Sequence, residues 1–210
     1  MSFHSLGLER QLVDTVTQLG FDTPTPVQQQ AIPEVLAGHD VLAGAQTGTG
    51  KTAAFGLPLI DRILASSANL ERQEKQVKAL VLTPTRELAQ QVFDSLSAYA
   101  KDVDIKIAVA YGGTSIKMQV KAIEAGVDIL VATPGRLLDH AYVGTVDLSQ
   151  VSYLVLDEAD RMLDMGFIDD IKRIMKRMKA ERQTLFFSAT FGKQVKKLAY
   201  DILTEPKLIE

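Results

Sequence analysis

The chain has 210 residues, enough for one domain with a substantial core, and its 46% hydrophobic and 23% charged residues match an ordinary globular protein. It contains no cysteine, which excludes disulfides and cysteine-based zinc or redox chemistry and fits a reducing compartment. A formal charge of −3 argues against a broad basic surface, so any grip on nucleic acid must come from local contacts.

In chain order, the opening Met1-Ser2-Phe3-His4-Ser5 has no basic region leading into an apolar run, so no signal peptide is expected. No apolar stretch approaches the roughly 18 residues of a membrane span, and a soluble, cytoplasmic protein without a membrane partner is the expectation. A helix is predicted over residues 8–19, stopping at Gly20, and a second from Pro26, capped by Thr25, to Gly38. A short strand, Asp40-Val41-Leu42-Ala43, comes next. Residues 66–76 read as a polar surface loop. Further strands are predicted at 79–82, 105–109, 129–132, 154–156 and 184–187. Most are continuous apolar runs, as suits strands covered on both faces of a parallel sheet. Between them Leu88, Val92, Phe93, Leu96 and Tyr99 form one helical stripe, and Ile171, Ile174, Met175 and Met178 another. Residues 205–210 read as the approach to a further element. The alternation predicts one α/β domain: a doubly wound, mainly parallel sheet flanked by helices, with residues 1–38 as leading helices and 39–210 as sheet core.

Ala45-Gln46-Thr47-Gly48-Thr49-Gly50-Lys51-Thr52 lies between a strand and a helix and matches the phosphate-loop pattern, with Ala45 where the strict form has glycine. Gly48 and Gly50 allow the backbone to turn successive N–H groups toward phosphate oxygens. Lys51 supplies a cation for β- and γ-phosphates, Thr52 a hydroxyl for Mg²⁺, and the helix start a partial positive charge. Farther on, the apolar run Leu154-Val155-Leu156 ends in Asp157-Glu158-Ala159-Asp160. Asp157 is placed to hold Mg²⁺, directly or through water. Glu158 can orient a water and accept its proton, which favours hydrolysis over phosphoryl transfer by a kinase. Upstream, in Gly20-Phe21-Asp22-Thr23-Pro24-Thr25-Pro26-Val27-Gln28, the Gln28 amide complements the N6 donor and N7 acceptor of adenine. Phe21 is placed either to stack on the ring or to pack in the core.

Thr83-Pro84-Thr85-Arg86 and Thr133-Pro134-Gly135-Arg136 each follow a predicted strand and open a helix, with a potential threonine cap, an early proline and a nearby arginine. Such helix starts favour phosphate, and Gly112-Gly113 after a third strand lets another backbone approach. Together they can track a sugar–phosphate chain; singly, each Thr-Pro also reads as routine helix initiation. The cluster Lys172, Arg173, Lys176, Arg177, Lys179 and Arg182 flanks an apolar stripe and reads as a solvated helix face. His4, His39 and His140 have no metal-ligand spacing and are assigned no role.

Taken in order, Phe3 with Gly20-Phe21 and Gln28, the loop 45–52, Pro84-Thr85-Arg86-Glu87-Leu88-Ala89, Gly112-Gly113, Thr133-Pro134-Gly135-Arg136, Asp157-Glu158-Ala159-Asp160 and Ser188-Ala189-Thr190 resemble the signatures of the DEAD-box family of ATP-dependent RNA helicases. The resemblance spans essentially the whole chain, and Ala45 matches the family's own loop. Met1-Ser2-Phe3 and Arg161-Met162-Leu163-Asp164-Met165-Gly166-Phe167 look most like its bacterial RhlE-type branch. The family implies a RecA-like N-terminal domain that binds ATP or ADP with Mg²⁺. By this resemblance Phe21, Thr23 and Gln28 contact adenine, and Gln46, Thr47, Gly48, Thr49, Gly50, Lys51 and Thr52 hold the phosphates. Asp157, Glu158 and Lys51 do the chemistry, with Thr52 and Asp157 as metal ligands. RNA is held by Pro84, Thr85, Arg86, Gly112, Gly113, Thr133, Pro134, Gly135 and Arg136. Asp160, Ser188, Ala189 and Thr190 link nucleotide state to strand separation. The resemblance further implies a second RecA-like lobe, absent from these 210 residues, that supplies more RNA contacts and arginines at the γ-phosphate. A DNA-directed helicase or a non-catalytic RNA clamp remain as alternatives.

Overall fold

A computed structural model of the chain describes residues 1–46, 48–66, 72–113 and 115–210. Among the described residues the strands are β1 (Val41–Gly44), β2 (Val77–Leu82), β3 (Ile107–Ala110), β4 (Val127–Ala132), β5 (Tyr153–Leu156), β6 (Gln183–Ser188) and β7 (Lys207–Ile209). They form one sheet in the order β3-β4-β2-β5-β6-β1-β7, and every neighbouring pair is parallel.

Alternate residues of β1 to β6 feed two separate cores. Val81, Val131, Val155 and Phe187 face one side, where they meet a 3₁₀ turn (Phe3–Leu6), α1 (Arg10–Gln18), α2 (Pro26–Leu36), α3 (Lys51–Ser66) and α4 (Arg86–Tyr99). Leu82, Leu130, Leu156 and Phe186 face the other, against α5 (Ile116–Glu124), α6 (Pro134–Tyr142), α7 (Ala159–Asp164), α8 (Ile168–Lys176) and α9 (Lys193–Ile202). The strands are apolar on both faces because both faces are covered. The doubly wound parallel sheet is therefore the one expected, and the leading helices join the same core as the strands, with Leu12, Val16 and Ile32 fully buried. On that side Gly56 lets α3 lie close against α4, since a Cβ there would lie 2.6 Å from Leu96 Cδ2.

Two parts of the sequence reading change. Residues 205–210 are not merely an approach: Lys207–Ile209 is an edge strand pairing in parallel with β1. It was illegible because only Ile209 of its three residues is buried and Pro206 precedes it. The expected loop at 66–76 begins inside α3, which ends at Ser66; Gln76 forms a parallel bridge with Asp147, and residues 67–71 lie outside the described residues.

The N-terminal ends of β1, β6 and β7 are fastened by side chains. Asp40 accepts from the N–H of Thr184 at 2.8 Å and of Thr204 at 2.7 Å, while its own carbonyl accepts from Lys207 N–H at 2.8 Å. Gln183 Nε2 donates to the carbonyls of Val35 at 2.9 Å and His39 at 2.7 Å, joining α2 to β6. Asp40 is buried, so Asp40→Ala leaves two backbone donors without their acceptor. The expected loss is about 3 kcal/mol, read as a lower denaturant midpoint at unchanged m-value. Asp40→Asn keeps one acceptor and should lose less.

Candidate active site and nucleic-acid edge

A parallel sheet sends every strand-to-helix loop to the same edge, and that edge collects the motifs. Sheet hydrogen bonding runs one residue past several strand ends to hold the first residue of each loop. Ala45 N–H donates to Ser188 O, Thr83 N–H to Ala132 O, Thr133 N–H to Ala110 O and Asp157 N–H to Leu82 O, all at 2.9–3.1 Å.

At the end of β1 the loop turns through Gly48 (φ 85°) and Gly50 (φ 81°), left-handed conformations natural to glycine. Thr49 Oγ1 donates to Gln46 O at 2.6 Å and tightens the turn; Thr47 lies outside the described residues. Helix α3 starts at Lys51 and carries Thr52 in its first turn. Lys51 is only 8% exposed, and its Nζ lies 3.0 Å from Asp157 Oδ1 and 3.3 Å from Glu158 Oε2. The site thus places one cation between two acids in a nearly dry setting. Burial pushes the Asp157 carboxyl above its usual range, opposed chiefly by the Lys51 ammonium. Its Oδ1 is ion-paired but receives no well-directed hydrogen bond.

Glu158 caps α7 with φ 58° and ψ 52°, a left-handed conformation that costs a non-glycine residue about 1–3 kcal/mol. Such strain is retained where a side chain must be aimed, and here it aims the carboxylate at Lys51. Among the described residues no group of three or more His, Cys, Asp or Glu could hold a metal by itself. Thr52 and Asp157 nonetheless fit Mg²⁺, a hard ion that takes one or two protein oxygens and completes its shell with phosphate and water.

The residues read from sequence as adenine contacts also take part in the fold. Gln28 forms a capping box with Thr25: its Oε1 accepts from Thr25 N–H at 3.0 Å, and Thr25 Oγ1 accepts from Gln28 N–H at 3.4 Å. Its Nε2 donates to Gly50 O at 3.1 Å, and a Cβ on Gly50 would collide with this amide. Gln28 therefore braces the phosphate loop, while each half of its amide keeps one further hydrogen-bonding position. Phe21 is half-buried between Phe3 (ring centroids 6.0 Å) and Tyr99 (5.8 Å, edge-on), so part of its ring belongs to the core. Thr23 is exposed beside it.

The two Thr-Pro segments start helices, but not in the same way. Helix α4 is capped by Thr85, whose Oγ1 accepts from Leu88 N–H at 3.2 Å, so Pro84 lies outside the helix and Arg86 is its first residue. Helix α6 has Pro134 at its first position, and its cap residue Thr133 makes no side-chain cap bond, contrary to the expected threonine cap. Gly135 follows in the first turn of α6. The strand order places β2, β4 and β3 side by side, which brings these segments next to Gly112-Gly113. Arg86 reaches that loop: a Cβ on Gly113, at φ 84°, would lie 2.8 Å from Arg86 Nη1.

Asp160, Ser188 and Thr190 meet directly. Asp160 Oδ2 accepts from Thr190 Oγ1 at 2.9 Å and Thr190 N–H at 3.2 Å. Ser188 Oγ accepts from Asp160 N–H at 3.2 Å and donates to Thr190 O at 2.7 Å. Ala189 is the exposed residue between them. In the basic cluster, Lys172, Arg173, Lys176 and Arg177 are exposed as expected of a solvated face, whereas Lys179 and Arg182 are half-buried, Arg182 donating to Lys179 O at 2.9 Å; Arg173 pairs with Asp170 and Arg177 stacks over Tyr142 at 4.9 Å. Sequence reasoning missed Gln119 and His140. No local pattern marks them, because their partners lie on other elements: His140 is fully buried with Nε2 3.1 Å from Gln119 Oε1.

The model of the DEAD/DEAH box helicase family matches residues 25–198. The chain belongs to that family. It is 44% identical over 209 residues to "ATP-dependent RNA helicase CshA" of Limosilactobacillus reuteri, covering all of this chain and 41% of that protein. It is 42% identical over 211 residues to "ATP-dependent RNA helicase DeaD" of Haemophilus influenzae, covering 33% of it. Among solved structures, a DEAD box protein from Methanococcus jannaschii superposes with a TM-score of 0.90 at 39% identity, over all of this chain and 55% of that one. The chain thus spans about two fifths or less of the length of these curated DEAD-box relatives.

His140 yields a stability prediction. Burial, reinforced by the charge of Arg136, lowers its proton affinity below the ordinary value of 6.5. The folded state binds fewer protons than the unfolded one, so this contribution is complete above the unfolded value and lost as pH falls through the folded one. Thermal melts from pH 7.5 to 5 should fall more steeply for the native chain than for His140→Gln.

Proposed function

We propose that this chain is the ATP-binding lobe of an RNA-dependent ATPase that separates RNA strands or remodels RNA–protein complexes. The observation that carries the reading is Lys51 held between Asp157 and Glu158 beside a glycine-turned loop at a helix start. Lys51 exchanges the two carboxylates for β- and γ-phosphate oxygens, and the backbone N–H groups of residues 48–51 receive the remaining charge. Thr52 and Asp157 would hold Mg²⁺, which would neutralise phosphate charge. Glu158, released from Lys51, orients the attacking water and takes its proton. Gln28 offers its remaining donor and acceptor to adenine, and the exposed part of Phe21 stacks against the ring.

Beside this site, the helix starts at Arg86 and Pro134, the loop Gly112-Gly113 and the side chain of Arg136 contact a sugar–phosphate backbone without reading bases. Such local contacts reconcile RNA binding with a net charge of −3. The preference for RNA is taken from the relatives' printed names. Asp160, Ser188 and Thr190, bonded across the ends of β5 and β6, pass the nucleotide state to the RNA edge. A second RecA-like lobe completes the site with arginines, and the cytoplasm is the compartment this reading implies. Met1-Ser2-Phe3 and residues 161–167 support the RhlE-type branch.

An arginine finger contributes about 10³–10⁵ in rate, so the 210-residue chain alone should bind adenine nucleotide and hydrolyse it slowly. Fast, RNA-stimulated turnover by this chain would overturn the two-lobe reading. Gln28→Ala should narrow the gap between ADP and GDP affinity in calorimetry; an unchanged ratio removes Gln28 from the adenine site. In the two-lobed protein, Glu158→Gln should bind ATP and RNA yet stall, and normal single-turnover hydrolysis would exclude Glu158 as base.

A further inference from the structure

Behind the three segments read as backbone-binding lies a largely enclosed polar junction centred on Gln119 and His140, two residues that belong to none of the motifs. Gln119, on the inner face of α5, is 9% exposed. Its Nε2 donates to the carbonyl of Tyr111, the residue before Gly112-Gly113, at 2.9 Å. Its Oε1 accepts from Arg136 Nη1 at 3.2 Å and lies 3.1 Å from His140 Nε2, both on α6. Because the amide nitrogen is committed to Tyr111, the oxygen must be the acceptor for α6, which makes His140 Nε2 the protonated nitrogen. Tyr111 extends the junction in the other direction: its Oη donates to Gln90 Oε1 on α4 at 2.8 Å. One connected set of hydrogen bonds therefore joins the helix that begins at Arg86, the Gly112-Gly113 loop and the helix that carries Arg136.

The Arg136 side chain is 15% exposed, so most of it is enclosed and only a small part is available to a ligand. Its Nε lies 3.7 Å from Asp139 Oδ2, a longer and more solvated pairing. Gln119 is the neutral partner: it fixes one guanidinium nitrogen without cancelling its charge, leaving Arg136 able to attract phosphate. An arginine held in its binding geometry loses less side-chain freedom when the ligand arrives.

We propose that Gln119 is a positioning residue for backbone binding, its carboxamide fixing the Arg136 guanidinium against the Gly112-Gly113 loop so that both meet the same nucleic-acid strand. The inference rests on the reading of this edge as an RNA site. A purely architectural Gln119 would also loosen α5, but it would not act through Arg136.

A double-mutant cycle separates these roles. Anisotropy of fluorescein-labelled single-stranded oligoadenylate RNA is measured against salt for the 210-residue chain, Gln119→Met, Arg136→Ala and the double variant, with melting curves to check the fold. Gln119→Met should weaken RNA binding about threefold to tenfold and reduce the salt slope toward that of Arg136→Ala, which loses about 0.7 for one single-strand phosphate contact. In the Arg136→Ala background the Gln119 substitution should add nothing. If Gln119→Met is poorly folded, Gln119→Ala replaces it with the same expectation. Equal losses in both backgrounds, or no loss in either, overturn the positioning role while leaving the RNA site intact. Unchanged affinity and slope for Arg136→Ala overturn the RNA reading of Arg136 itself, and the proposal with it.

Discussion

Because the seven strands run parallel, each chain segment leaving the C-terminal edge of the sheet begins a loop or helix on that one side. Helix starts, glycine turns and acid-bearing strand ends from residues more than a hundred positions apart thereby converge without any special long-range device. The ladder bonds that continue into Ala45, Thr83, Thr133 and Asp157 make the convergence rigid. The opposite edge has the complementary task, with Asp40 joining the strand starts around Thr184 and Thr204 and Gln183 tying β6 to α2.

Within that edge the costliest feature is electrostatic. Lys51 and Asp157 are almost fully buried, and Glu158 is held in a backbone conformation its side chain disfavours. A buried ion pair of this kind gains little stability over well-packed apolar side chains, because desolvation offsets attraction. Its retention at the mouth of a glycine-turned loop fits the proposed function: two carboxylates face one ammonium, and an incoming polyanion would replace them as the partner of Lys51. Strain at Glu158 and burial at Asp157 are the forms in which stability is exchanged for a prepared site.

The neighbouring edge is built on the opposite principle. In the proposed function its binding groups, apart from Arg86 and Arg136, are backbone N–H donors at two helix starts and a diglycine loop, which need no net positive charge. The polar junction through Gln119, His140 and Tyr111 links these separate pieces; Gln119 on α5 and His140 on α6 are buried, and Tyr111 before the diglycine loop is half-buried.

The sequence alone determined the architecture, since continuous apolar strands alternating with amphipathic helices admit only a sheet covered on both faces. It also determined the phosphate loop, the acids after β5 and the cap at Thr25, because each depends on residues adjacent in the chain. Tertiary structure decided the rest. Lys207–Ile209 is a strand only because β1 offers a free edge, and Gln28 braces Gly50 only because α2 packs on α3. Thr83-Pro84-Thr85-Arg86 and Thr133-Pro134-Gly135-Arg136 looked alike in sequence, yet the Thr85 hydroxyl caps α4 and the Thr133 hydroxyl does not cap α6. Gln119 and His140 carry no local signal whatever. Hydrogen bonds between elements depend on which faces the sheet brings together, and no spacing along one chain encodes that distance.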